Sequence, residues 1–226
     1  LLKISERSPH PDDRFRSRVI FPIESVSGRV VGFGGRVLTG AGAASGAASS
    51  SAKGAPKYLN SPESPVYHKG EVLYGLGRNR NAIRKDGAAL VVEGYMDLVA
   101  LASAGVENTV ATLGTAMTEE HARLLGRYTK KALLLFDSDV AGVKATFRAA
   151  DALLAQGIQS SVVTFPPGED PDSLVRSKGA EGLQAYLDGA VDVLDRKLQL
   201  LDERGYFGSI DRVRLAVDKL LPTLRA

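Results

Sequence analysis

Five acidic residues are the ones in this 226-residue chain whose type and spacing could do chemistry: Glu93, Asp137, Asp139, Asp170 and Asp172. Glu93 directly follows the apolar run Ala88-Ala-Leu-Val-Val92. Asp137 and Asp139 follow Ala132-Leu-Leu-Leu-Phe136, and Asp170 and Asp172 follow the apolar stretch 161–165 across a Pro166-Pro-Gly168 turn. Crowded carboxylates repel, so each has a raised pKa unless a cation holds them ionised. Oxygen ligands without His or Cys favour magnesium or manganese over zinc. Each acid also has a plainer reading. Glu93 fits a solvated strand end, Asp137 or Asp139 a helix cap, and Asp170-Pro171 an N-cap followed by proline at the first helical position. Capping needs one acid per helix, and here the acids come in pairs, so the set is read as a metal site.

The acids meet only if the apolar runs before them are strands of one sheet. Strands are expected at 88–92, 109–113, 132–136 and 161–165, with helices at 96–104, 118–128, 141–156 and 171–178. Thr118 is a natural cap for the second helix, with Glu119 and Glu120 in its first turn, and Gly157 closes the third. Strands without polar alternation, separated by helices, imply a parallel sheet covered on both faces and joined by right-handed crossovers. In such sheets ligands gather beyond the carboxyl ends of the strands. Past residue 173 the chain reads as helical, broken at Gly179, Gly205 and Pro222. Upstream, 18–23 and 29–33 read as a hairpin around Ser27-Gly28, and 56–85 as irregular. Residues 40–55 are low-complexity Gly/Ala/Ser, expected to be a disordered surface insertion that spans roughly 20–25 Å as a coil.

Charge is divided along the chain. Residues 1–85 carry 14 Lys+Arg against 6 Asp+Glu, and residues 86–226 carry 15 against 20. A basic half joined to an acidic half suggests a polyanion held near a cation-binding cluster, with ordinary surface variation as the alternative. The absence of cysteine excludes disulfides and Cys-ligated zinc, and His10, His68 and His121 have no zinc-ligand spacing. No apolar run approaches a membrane span and no signal peptide is evident, so a cytoplasmic context without membrane partners is expected.

Glu93-Gly-Tyr-Met-Asp97, Phe136-Asp-Ser-Asp139 and Gly168-Glu-Asp-Pro-Asp172 resemble the Toprim domain in its primase form. The upstream segments Arg14-Phe-Arg-Ser-Arg-Val-Ile-Phe-Pro-Ile23, Gly32-Phe-Gly-Gly-Arg36, Pro56-Lys-Tyr-Leu-Asn-Ser-Pro62, His68-Lys-Gly70 and Leu73-Tyr-Gly75 resemble successive signatures of bacterial DnaG-type primases. Together the matches cover about residues 14–178. The resemblance implies an α/β fold: a Toprim-type parallel sheet with flanking helices at 86–178, preceded by a partial basic α+β subdomain at 1–85 and followed by a partial helical subdomain at 179–226. It makes Glu93, Asp137 and Asp139 the principal catalytic and metal-site acids, with Asp170 and Asp172 in the same cluster. It puts Arg36, Lys57, Asn60 and Lys69 at positions that face nucleotide or template, with Arg14, Arg16 and Arg18 on the same basic surface.

The implied reaction is template-directed synthesis of short RNA primers from ribonucleoside triphosphates on single-stranded DNA. Two or more Mg²⁺ or Mn²⁺ ions, about 3.5–4 Å apart if paired, would stabilise the attacking and leaving oxygens. Glu93 is the acid expected to help deprotonate the attacking hydroxyl. Single-stranded DNA would be held mainly by its backbone, with a log–log salt slope of about 0.7 per phosphate contacted. Tyr58, Tyr67 and Tyr74 read as packing residues before base-stacking ones, and His68 as a hydrogen-bonded surface residue. The chain departs from the family pattern in its Gly/Ala/Ser insertion. It is also expected to be a fragment lacking the zinc module, part of the core's N-terminus and the domain that binds the replicative helicase. The rival readings are another Toprim enzyme, such as a topoisomerase or nuclease, and a non-catalytic Toprim DNA-binding scaffold.

Overall fold

The structure is a computed structural model that describes residues 2–5, 8–38 and 56–226, with side chains from residue 13 onward. The segment 40–55, read as a disordered insertion, lies outside the described residues. The chain forms two compact units, Leu1–His68 and Lys69–Ala226.

The first unit is antiparallel. Strands β1 (Leu2–Ser5) and β2 (Ser8–Asp13) form one pair. Strands β3 (Arg18–Glu24), β4 (Val30–Val37) and β5 (Tyr58–Asn60) form a second sheet in that order. The β3–β4 turn is where the sequence puts it: Gly28 takes φ 80° and Ser25 N–H donates to Arg29 O at 2.9 Å. Phe15, Ile23 and Tyr67 form the buried core of this unit.

The second unit is built on a five-stranded sheet in the order β10-β9-β8-β6-β7. Strands β6 (Ala89–Val92), β7 (Thr109–Ala111), β8 (Lys131–Leu134) and β9 (Gln159–Val162) are parallel. They alternate with helices α2 (Tyr95–Ser103), α3 (Glu119–Leu125) and α4 (Val140–Leu154). Helix α1 (Leu76–Asp86) precedes β6 and packs on β7, and α5 (Pro171–Asp188) follows β9. Helix α2 packs on α5, and α3 on α4. Leu90, Val92, Leu133, Leu135, Val163 and Phe165 join Leu98, Leu101, Leu174 and Leu183 in one core layer. The alternate residues Val91 and Leu134, both fully buried, point the other way, as the two-residue period of a strand requires. Burial on both faces is why these strands read as unbroken apolar runs.

Several elements differ from the sequence expectation, among them the strand β5 within the stretch read as irregular. Strand β10 (Val191–Asp192) adds an antiparallel edge beside β9. Helix α1 occupies part of the stretch read as irregular; its only buried residues are Leu76 and Ile83, too few to give a periodic apolar signal. The expected break at Gly179 is a kink inside α5, where Gly179 has φ 68°. Pro222 breaks nothing: it lies inside α7 (Ile210–Arg225), which follows α6 (Val193–Glu203). Helices α6 and α7 close a small core of Leu201, Ala216 and Leu220, and Thr223 ties them to α4 by donating to Asp151 Oδ1 at 2.6 Å. Because Leu134 is fully buried between the two helical layers, Leu134→Ala should lower unfolding stability by about 3 kcal/mol. Urea denaturation checks this, and a loss under about 1 kcal/mol would contradict the two-sided core.

Candidate active site

In the strand order β9-β8-β6-β7, the chain leaves β6 toward β7 on one side and returns as β8 on the other. The crevice between the carboxyl ends of β6 and β8 is therefore the topological switch point of the sheet, where open α/β sheets bind ligands. Glu93 and Asp137 flank it. Asp137 N–H donates to Glu93 Oε1 at 3.4 Å, and Leu135 N–H donates to Val91 O at 2.9 Å, so the chain after β8 is stitched to the chain after β6. Asp137, Ser138 and Asp139 are exposed and share a cleft with Pro167, Gly168, Glu169 and Asp170. Ser138 Oγ donates to Phe165 O at 3.2 Å, which joins the two walls of that cleft.

The acids sense one another. Burial and then the Asp137 carboxylate push Glu93 above its usual pKa, with the Asp137 N–H acting the other way and Asp139 adding to the rise. Burial, Asp170 and Asp139 push Asp137 up. The largest effect falls on Asp97. Burial, Asp170 and Asp137 raise it to about 7, against the opposing Gly94 N–H, with Asp172 a further push. Its Oδ2 accepts that Gly94 N–H at 3.2 Å, so it both starts α2 and faces the cluster from behind. The signal in the sequence was its place four residues after Glu93, on the first turn of the next helix.

Capping and clustering turn out not to be alternatives. Asp139 Oδ1 accepts Gly142 N–H at 2.7 Å and caps α4; Asp170 Oδ1 accepts Ser173 N–H at 2.7 Å and caps α5. Each cap uses one oxygen of a carboxylate that has two. Asp172 is paired with Arg176 Nε at 2.5 Å on the first turn of α5. Among the described residues no group of three or more His, Cys, Asp or Glu converges tightly enough to cage an ion by itself. The cleft offers carboxylate oxygens, the donor type that magnesium and manganese take. Gly142 was not singled out from the sequence. A Cβ there would stand 2.2 Å from the Asp137 carbonyl oxygen, so only glycine lets α4 start this close to the acidic loop.

The basic candidates divide between the two units. In the first, Arg36 on β4 lies opposite Tyr58 on β5. The Arg36 guanidinium and the Lys57 ammonium stand 6.0 and 5.7 Å from the centre of the Tyr58 ring, which is 38% exposed. Arg14 Nη2 reaches Asn60 O at 3.4 Å, and Arg16 is exposed. Arg18 donates to Gly35 O, Lys57 O and Pro56 O at 3.2, 3.2 and 2.8 Å, a strap across β3, β4 and the start of β5. Tyr67 is buried and Tyr74 stacks edge-on against Tyr95 at 4.9 Å, so both are packing residues, and His68 pairs with Glu63 at 3.1 Å on the surface. In the second unit, Lys69 Nζ donates to Gly114 O at 3.4 Å, in the loop after β7.

The sequence matches the model of the DNA primase catalytic core, N-terminal domain, over residues 1–80 and a Toprim-like model over residues 90–175. A DNA primase from Halalkalibacterium halodurans is 44% identical over 189 residues, covering 84% of this chain and 28% of the relative. The chain thus spans under a third of the length of the curated relatives it matches. The Escherichia coli primase catalytic core superposes with a TM-score of 0.83 at 38% identity, covering 99% of this chain and 68% of that one. A DnaG primase catalytic domain bound to single-stranded DNA gives 0.82 at 37%, covering 99% and 69%.

The raised pKa of Asp97 has a defined sign in stability. Its folded pKa of about 7 lies above the unfolded value near 3.8, so its contribution is fully present below the lower value and is lost as pH rises through the higher one. Metal-free Asp97→Asn, which keeps an acceptor for Gly94 N–H, should melt roughly 5 °C above wild type near pH 8 and level with it near pH 4. Calorimetry in chelator measures both, and a variant that melts below wild type near pH 8 would contradict the repulsion.

Proposed function

Because the chain belongs to the DnaG-type DNA primase family, we propose that it is the catalytic part of a polymerase that joins ribonucleotides into short RNA primers on single-stranded DNA. The observation that carries this reading is the group of carboxylates delivered by β6, β8 and β9 to one switch-point edge, where burial and the neighbouring acids hold Glu93 and Asp137 above their usual pKa. Such a cluster has no evident value to a folded protein unless cations complete it.

Glu93, Asp137 and Asp139 would hold magnesium or manganese, with Asp170 and Asp172 supporting. Two or more bound ions would neutralise the carboxylates and supply Lewis-acid stabilisation to the phosphoryl oxygens in play. The chain's own groups do the rest. Glu93 is half-buried at the end of β6, and it would also take the proton of an attacking primer 3′-hydroxyl. Asp137 is fixed by its own N–H to Glu93, and Asp139 by its cap on α4, so both keep their positions as charge is neutralised. Arg36, Lys57, Asn60 and Arg14 form a cationic and polar group around the exposed Tyr58, suited to a phosphate backbone with a base against the ring. Arg16 and Lys69 add cations, and Arg18 serves by holding the β4–β5 carbonyls in place. Ribonucleoside triphosphates and, for the whole protein, the replicative helicase are the further partners this reading assigns.

Asp137→Ala combined with Asp139→Asn tests it, because asparagine retains the cap on α4. Manganese binding by calorimetry and primer synthesis on a single-stranded template should both fall by roughly 100-fold or more, with little change in melting temperature. A double variant that still binds the ion and primes normally would sink the assignment.

A further inference from the structure

Resting on that functional reading, we infer that Thr118 and His121 are positioning residues that clamp the backbone of Lys69 and Gly70, so that the Lys69 ammonium meets a substrate phosphate on the Glu93 side of the acidic edge. His121 is fully buried at the third residue of α3, a helix of seven residues whose N-cap is Thr118. A capping box needs only an acceptor at that position, and Glu or Gln is the usual one. The imidazole does more. Thr118 N–H can only donate, and lies 3.3 Å from Nδ1; Lys69 O can only accept, and lies 3.0 Å from Nε2. The ring is therefore neutral with its proton on Nε2, and burial favours that neutral form. One nitrogen closes the helix cap, and the other holds a carbonyl 52 residues earlier in the chain.

Thr118 divides its hydroxyl in the same way. Oγ1 accepts His121 N–H at 3.0 Å and donates to Gly70 O at 2.6 Å. Two consecutive carbonyls of the short 3₁₀ turn at Lys69–Glu71 are thus fixed by two side chains of one helix start. The Lys69 side chain leaves this anchored backbone and donates to Gly114 O at 3.4 Å, while Gly114 N–H donates to Glu93 O at 3.3 Å. The cation is therefore a single residue removed from the backbone of Glu93. Leu113 and Gly114 both have positive φ, 62° and 68°, and Leu113 is buried. A non-glycine residue in that region carries strain that a packed site must hold in place, here in the loop that receives the ammonium. The clamp gives Lys69 a fixed root, so less backbone freedom is lost when a phosphate binds.

The test is a double-mutant cycle on the full chain, reading the affinity of two fluorescent probes, ATP and a single-stranded oligonucleotide. Lys69→Ala should weaken one probe or both by about tenfold, and the affected probe shows whether the phosphate belongs to nucleotide or template. His121→Asn keeps an acceptor for the cap but cannot reach Lys69 O, and it should weaken the same probe. His121→Gln carries an N–H to the depth of Nε2 and should stay within about twofold of wild type. His121→Asn with Lys69→Ala together should be no weaker than Lys69→Ala alone, because His121 acts through Lys69; a general loss of structure would instead compound. Full additivity, absence of rescue by glutamine, or wild-type binding by His121→Asn would each overturn the clamp while leaving the polymerase reading standing. A wild-type chain that binds neither probe would overturn both.

Discussion

Repulsion between carboxylates is the constraint around which the second unit is arranged. The parallel order β9-β8-β6 delivers Glu93, Asp137 and the Asp170 turn to one edge, where burial and mutual charge hold Glu93 and Asp137 above their normal pKa values. A fold keeps such a cluster only if other interactions hold each acid where it is. Here those interactions are local and specific: a backbone N–H to Glu93, and helix caps made by Asp139 and Asp170. The caps place two carboxylates at the positive ends of α4 and α5, where the helix dipole offsets part of the repulsion. Asp97, in the first turn of α2, shows the largest rise, because burial weighs most on it and Asp170 and Asp137 add to the effect.

Close packing makes the arrangement possible. Glycine at 142 lets the start of α4 touch the Asp137 carbonyl, and the left-handed turn at 113–114 directs Gly114 O toward Lys69 and Gly114 N–H toward Glu93. Neither feature contributes a reacting group, yet both set where reacting groups stand. In the first unit the corresponding element is Arg18, whose three carbonyl contacts hold β3, β4 and the start of β5 beside Arg36 and Tyr58.

The sheet and its acids were legible because strands buried on both faces leave unbroken apolar runs, and ligand-binding residues follow strand ends. Most strand boundaries moved by one to three residues, and ladder bonds such as Leu135 N–H to Val91 O extend past the regular strand. Helix α1 was hidden because it buries only Leu76 and Ile83, and β10 because two residues carry no pattern. Pro222 misled because α7 carries on through it. The second roles of single residues were the least legible. Sequence presented cap or ligand as a choice for Asp139 and Asp170, whereas a carboxylate with two oxygens permits both. Of the two partners of the His121 ring, Thr118 lies at helical spacing, but the carbonyl of Lys69 lies far upstream and leaves no local pattern.

Anomalous diffraction from crystals soaked in manganese would locate any ion held by these carboxylates. Scattering peaks are expected at the ends of β6, β8 and β9, bonded to oxygens of Glu93, Asp137 or Asp139, with waters completing each shell. Saturating manganese that leaves this edge empty, or that settles only on acids elsewhere on the surface, would contradict the metal-site assignment.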